Sequence, residues 1–232
     1  MKKIVLIDLG NTLIYNKKID FKEGYTYLYS LINETNITKD AFVKEAFQLF
    51  QKMYCNRDID LIEIAFQSFL KRLFDKLHVT SAYSFAELEE IIYDVAVKDE
   101  LIEGVLAFLD FLKSQNIPVY IISNSTFSSQ CLRKTIDAFG ISKFIQGLYS
   151  SADYGYRKPN RLFFDRIDEL QNIHKEETVM IGNDAYFDFE FAKNIRIDFL
   201  WFNEKDEKKN EANMKSFRKY SELITKWGEI FD

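Results

Sequence analysis

Proline is nearly absent from this 232-residue sequence, with 2 residues, and glycine is sparse, with 8. Average usage near ~5% and ~7% would give roughly 12 and roughly 16. So few backbone breakers exclude a loop-rich or Pro-rich chain and point to long regular elements. Cysteine is scarce too. Cys55 and Cys131 match no metal or redox spacing; this excludes a disulfide scaffold and points to reduced thiols in the cytoplasm. Long apolar runs are missing near the N-terminus, where Ile4 to Ile7 stops at Asp8. A signal peptide needs about 7–15 apolar residues and a spanning helix about 20, so neither export nor a membrane partner is expected. There is no basic stripe interleaved with aromatics, and the net charge is −5, which argues against nucleic acid as a partner.

What remains is an ordinary globular composition, 47% apolar and 29% charged, with 22 Phe and 13 Tyr to fill a bulky core. At about 150 residues per domain, the length allows one large domain or two small ones.

The breakers are unevenly spread. Between Gly24 and Gly104 there is neither glycine nor proline, and helical periodicity runs through that stretch. Phe42, Ala46, Phe50 and Met53 form one stripe; Ile62, Phe66, Phe69, Leu73 and Leu77 form a second. Ser84 and Glu87 have capping-box spacing, ahead of a third stripe of Leu88, Ile91 and Val95. Three or four packed antiparallel helices are expected here. Outside this stretch, Ile4–Ile7, Val119–Ile122 and Thr178–Ile181 are short unbroken apolar runs rich in β-branched residues. Such runs suit parallel strands buried on both faces. Further strands are expected near Ile145–Tyr149 and Ile197–Phe202, with helices near 104–115, 127–139 and 161–171. The charged run Glu204–Glu211 is expected to be a loop before a last amphipathic helix ending near Phe231. The fold class is therefore α/β, a doubly wound and mainly parallel sheet. The α/β core domain is expected over 1–15 and 99–232, with an inserted α-helical cap domain over 16–98. Ligands of such sheets bind at the carboxyl ends of strands, where an inserted module sits as a lid.

Polar turns follow the strands. Asp8 leaves the first strand and can act as a nucleophile toward phosphorus or carbon, although Gly10-Asn11 also fits a two-residue hairpin loop. Ser123 and Asn124 follow the second strand ahead of a helix. They can hold a phosphoryl oxygen there or simply cap the helix. Lys158, before Pro159-Asn160 and another helix, can neutralise charge on a transferred group. Gly182-Asn183-Asp184 and Asp188 end a third strand, and carboxylates four apart suit a hard cation such as Mg²⁺.

Together these turns resemble the haloacid dehalogenase superfamily, in the branch with a helical C1-type cap inserted after motif I. Asp8-Leu-Gly-Asn-Thr is similar to Asp-x-Asp-Gly-Thr, and Ser123-Asn124 to motif II. Gly155-Tyr-Arg-Lys158-Pro159-Asn160 resembles the Gly-x-x-Lys-Pro segment of motif III, and Val179–Ala192 resembles motif IV. The resemblance implies a phosphatase in which Asp8 attacks phosphorus to form an aspartyl-phosphate. Ser123, Asn124 and Lys158 would hold the phosphoryl oxygens, and Mg²⁺ would be held through Asp8, the Gly10 carbonyl, Asp184 or Asn183, and Asp188. A small phosphorylated metabolite is the implied substrate.

Two departures stand out. Gly10 replaces the family's general acid, whose loss is worth about 10²–10⁴-fold, or roughly 3–5 kcal/mol. Asn183 stands where motif IV has Asp, with Asp184 one place later as the favoured substitute. Gly10 also fits the metal-independent 2-haloacid dehalogenases, but two acids at motif IV suit a cation better. A catalytically weak binding protein is the other alternative. Lys17, Lys18 and Arg57 are the polar candidates near the cap.

Overall fold

The unbroken apolar runs form strands whose side chains alternate between two buried faces. In the computed structural model, which describes residues 3–207 and 214–230, the strands are β1 (Ile4–Ile7), β2 (Ile14–Ile19), β3 (Val97–Leu101), β4 (Val119–Ser123), β5 (Gly147–Ser150), β6 (Thr178–Gly182), β7 (Asp198–Phe202) and β8 (Lys215–Phe217). Six of them make one sheet in the order β5-β4-β1-β6-β7-β8, with every neighbouring pair parallel. Val5, Ile7, Val119, Ile121, Val179 and Ile181 belong to one buried cluster, and Leu6, Ile122 and Met180 to another. The sheet therefore has a core on each side, and runs without polar alternation are the consequence.

Between β2 and β3 lie α1 (Phe21–Tyr29), α2 (Lys39–Tyr54), the one-turn α3 (Arg57–Asp60), α4 (Phe66–Leu77) and α5 (Phe85–Ala96). The remaining helices are α6 (Val105–Ser114), α7 (Ser129–Ala138), the one-turn α8 (Ser151–Tyr154), α9 (Arg161–Gln171), α10 (Phe187–Ile195) and α11 (Tyr220–Ile230). This is the α/β fold with helices inserted after the first strand. The Ser84–Glu87 capping box starts α5.

Several local readings change. Ile62 lies outside α4 and bridges Tyr156 instead, so the second stripe begins at Phe66. On α5 the face that packs inward is Leu88, Ile92 and Ala96; Ile91 and Val95 flank it, half-buried. Gly10-Asn11 makes no hairpin between β1 and β2. Instead β2 crosses to pair antiparallel with β3, forming a separate two-stranded ribbon that brackets the inserted helices. Strand β8 follows the charged run, where no strand was expected. Part of that run, and the helix end near Phe231, lie outside the described residues.

The parallel register positions the site. Ile7 lies beside Ile121 on one neighbour and Ile181 on the other. The turns after β1, β4 and β6 therefore open side by side, at the carboxyl edge where the chain switches from one side of β1 to the other.

Candidate active site

Asp8, Ser123 and Lys158 are all buried and line one cavity of about 390 Å³, together with Gly10, Asn124, Asn183, Asp184 and Asp188. Every residue expected from the motifs is thus brought to one place.

Lys158 is the centre of the polar network. Its ammonium donates to Asp8 Oδ1 and to Asp188 Oδ1, each at 2.6 Å. Burial alone would discharge this amine, but the Asp188 and Asp8 carboxylates outweigh that and hold its pKa above the ordinary lysine value. Burial in turn pushes the Asp188 carboxyl up to about 7, against the pull of Lys158 and with the push of Asp8.

The neighbouring turns fix this lysine. Asn124 Nδ2 donates to the Lys158 carbonyl at 3.0 Å, and the Lys158 N–H donates back to Asn124 Oδ1 at 2.7 Å. The Asn124 amide is therefore spent on holding Lys158. Ser128, not Ser123 or Asn124, caps α7. The Ser123 hydroxyl makes no hydrogen bond to a described residue, so it remains open to a ligand oxygen. Asn160 accepts from the Leu162 N–H and caps α9, which begins just beyond the lysine.

After β6, Asp184 Oδ1 accepts the N–H groups of Tyr186 and Phe187 at 2.8 and 2.7 Å and so organises the entry into α10. The Asp184 N–H donates to Asp188 Oδ2 at 3.0 Å. Gly182 is needed for that approach: a Cβ there would stand 2.2 Å from Asp188 Oδ2. Thr12, which the motif reading gave no role, donates to Asp8 Oδ2 at 3.2 Å or to Asn183 Oδ1 at 3.1 Å. The loop that carries it is tied down by Tyr220, whose hydroxyl donates to the Thr12 carbonyl at 2.7 Å.

The donors at this edge are all oxygens, the chemistry that a hard cation takes. Among the described residues, no three Asp, Glu, His or Cys side chains form a ready cage. Both oxygens of Asp188 are already engaged, by Lys158 and by the Asp184 N–H. A Mg²⁺ ion would fit as one held by few protein oxygens and several waters. Asp8, the Gly10 carbonyl and either Asp184 or Asn183 would supply those oxygens, while Asp188 would orient its neighbours.

A family model for haloacid dehalogenase-like hydrolases matches residues 2–196. The chain belongs to this family. It is similar to the pyrimidine 5'-nucleotidase PynA of Streptococcus pneumoniae, 25% identical over 206 residues that cover 87% of this chain and 84% of PynA. Among solved structures, the 2-haloacid dehalogenase of Pseudomonas syringae pv. Tomato matches with a TM-score of 0.67 and 14% identity, covering 99% of this chain and 100% of that one. YfnB of Bacillus subtilis, solved bound to magnesium, matches with a TM-score of 0.57 and 20% identity over 97% of each chain. The hydrolase fold of this chain is thus shared by proteins of differing chemistry.

Other residues of the cavity have weaker signals in the sequence. Arg57 and Arg157 line the cavity, and Arg157 forms a buried pair with Glu63 at 2.7 Å. The two partners are far apart in sequence; Glu63 lies in no motif, and Arg157 falls at an unspecified position of the motif III segment. Asn16 enters the cavity from the ribbon, its Nδ2 donating to Asp99 Oδ1 at 2.6 Å, while the Tyr93 hydroxyl donates to Asp99 Oδ2 at 2.6 Å. Lys17 and Lys18 do not reach the site and pair instead with Glu100 and Glu23, at 2.8 and 2.7 Å.

Proposed function

We propose that this hydrolase is a Mg²⁺-dependent phosphatase of a small phosphorylated metabolite, working through an aspartyl-phosphate on Asp8. One observation carries the reading: a buried lysine holds the nucleophile candidate by one carboxylate oxygen, Asp8 Oδ1, while Asp8 Oδ2 meets only the longer Thr12 contact. Oδ2 is the freer oxygen. A bond forms from Asp8 to phosphorus as the bond to the leaving alkoxide or aryloxide breaks. Water then attacks the same phosphorus and releases Asp8 and phosphate. Lys158, fixed before reaction, and the open Ser123 hydroxyl stabilise the phosphoryl oxygens, and Asn124 acts through Lys158. Bound Mg²⁺ would supply charge neutralisation between the substrate and Asp8.

We read residues 16–98 as a cap of the C1 type over a core of 1–15 and 99–232. In support, α1 to α5 all lie between the ribbon strands, and both cap and core side chains line the cavity. The unpaired thiols Cys55 and Cys131 are in keeping with action in the cytoplasm. PynA and the magnesium of YfnB favour phosphate chemistry over dehalogenation.

Hydrolysis of an aryl phosphate by the purified protein tests the proposal. Turnover is expected with Mg²⁺, to vanish with a chelator, and to fall to background in Asp8→Asn. Metal-independent chloride release from a 2-haloacid would overturn it in favour of dehalogenation. Absence of turnover on activated phosphates, with a phosphorylated ligand still bound, would leave a binding protein.

A further inference from the structure

The cavity holding Asp8 has a second character away from its polar turns. Phe21, Phe50 and Phe127 line it together with Val97. Phe21 stacks on Phe127 at 6.3 Å between ring centroids and meets Phe50 at 5.5 Å. These rings give the cavity an aromatic, apolar wall inside the space available to a substrate.

Two guanidinium groups line the same cavity, and their situations differ. Arg157 is buried and both its terminal nitrogens are ion-paired, with Glu63 at 2.7 Å and Asp58 at 2.8 Å, which leaves only its buried Nε without a partner. Those same acids stand 3.9 and 4.0 Å from Arg57, beyond hydrogen-bond distance. Arg57 instead lies over the Tyr54 ring at 5.5 Å. A guanidinium carries its N–H donors in its own plane. An aromatic contact of this kind holds the group without using those donors, and no hydrogen bond to a described residue occupies them. Its side chain is 31% exposed, which leaves it accessible to a ligand.

We infer that the substrate is the phosphate ester of a flat aromatic group bearing a carboxylate or carbonyl oxygen away from phosphorus, and that Arg57 recognises that oxygen. The inference deepens the phosphatase reading and rests on it for the phosphoryl end. The aromatic wall takes the ring, and the free edge of Arg57 takes the acceptor. A carboxylate accepts a guanidinium in bidentate fashion, while a carbonyl takes one donor; the two have separate arms in the test.

Binding of non-hydrolysable phosphonates keeps this independent of turnover. Benzylphosphonate, its 3-carboxy and 3-carbamoyl derivatives and cyclohexylmethylphosphonate are titrated calorimetrically, with Mg²⁺, into the wild-type protein, Arg57→Met and Arg57→Lys. The wild type is expected to bind at least one substituted ligand ~10-fold or more tightly than benzylphosphonate. It should bind benzylphosphonate more tightly than the cyclohexyl compound. Arg57→Met should erase the preference for the acceptor, with Arg57→Lys intermediate. Equal binding of substituted and plain ligands, a preference that survives Arg57→Met, or no binding at all overturns the inference. Failure of aryl phosphate hydrolysis alongside an Arg57-dependent preference would instead remove the phosphatase reading and leave the ligand class standing.

Discussion

Gly10 and Gly182 sit at the ends of neighbouring strands in the same site, yet their backbones ask for different things. A side chain at Gly182 would collide with Asp188, whereas a Cβ at Gly10 meets only Asn16 Oδ1, at 3.5 Å, an ordinary contact. Gly10 also lies outside the left-handed region; Gly104, Gly140 and Gly155 are the glycines with positive φ among the described residues. Nothing in the backbone therefore requires glycine at position 10. The position has room for a Cβ, and Gly10→Asp should fold as the wild type does. On the phosphatase reading, this substitution adds general acid catalysis. Alkyl phosphate turnover should rise by up to ~10²-fold, and aryl phosphate turnover much less, because only the poor leaving group needs the proton. Measured kcat/KM on the two ester classes checks this; an equal change on both would exclude a proton-donating role. The same position shows how far single residues were legible. Asp8, Ser123 and Asp184 stood out because each ends or follows a strand in a short polar turn, Asp188 because it lies four residues after Asp184, and Lys158 because it precedes Pro159-Asn160 and a helix. Glu63 and Arg157 did not, since a buried ion pair between distant residues has the same composition as two surface charges.

The inserted helices meet the strand-edge loops through a few buried polar contacts. The Glu63 N–H donates to the Gly155 carbonyl at 2.9 Å, and the Arg157 N–H donates to the Leu61 carbonyl at 3.2 Å. Between these backbone contacts, the Glu63 carboxylate takes Arg157 and the Ser151 hydroxyl, the latter at 2.9 Å. Glu89 of α5 does similar work at α7, accepting from the Ser128 N–H at 2.9 Å and from its hydroxyl at 2.6 Å. Removing one member of a buried pair strands the other charge, at a cost of about 3–5 kcal/mol. Glu63→Ala should therefore lose about 3 kcal/mol, the low end, since Asp58 still meets Arg157. Glu63→Gln, which keeps an acceptor, should lose less. Urea denaturation measures both, and a loss below ~1 kcal/mol for the alanine variant would mean the pair is already hydrated. Elements were legible to the degree that their residues were apolar. The buried parallel strands gave unbroken runs and the long helices gave stripes. The ribbon strands β2 and β3 were missed, because the sequences IYNKKI and VKDEL place charges along an exposed two-stranded ribbon. The hairpin reading at Gly10-Asn11 failed for a related reason: β2 found its partner across the insertion, which local turn chemistry cannot report.

At the scale of the molecule, the inserted helices and one face of the sheet share a single apolar interior. Tyr25, Phe42, Phe69 and Leu73 of the insertion belong to the same buried cluster as Val5, Ile121 and Ile181 of the sheet. The junction is aromatic: Phe127, next to the β4 turn, meets Phe66 of α4 at 4.9 Å and Tyr93 of α5 at 4.8 Å. A continuous core of this kind couples the two parts, because separating them would expose those rings to water at about 25 cal/mol per Å² of apolar surface. The helices between β2 and β3 and the α/β part should therefore unfold together. The distribution of tryptophan makes this testable without a label. Both tryptophans, Trp201 on β7 and Trp227 on α11, are buried in the α/β part, and the insertion has none. Tryptophan fluorescence thus follows the α/β part alone, while far-ultraviolet circular dichroism follows every helix, including α1 to α5. For one cooperative transition the two urea curves should coincide, with midpoints agreeing within about 0.2 M. Loss of helical signal ahead of the fluorescence change would show an insertion that melts by itself. The Phe127 junction would then be a contact the closed site makes and breaks, and the aromatic wall of the Asp8 cavity would be assembled only when the helices are docked.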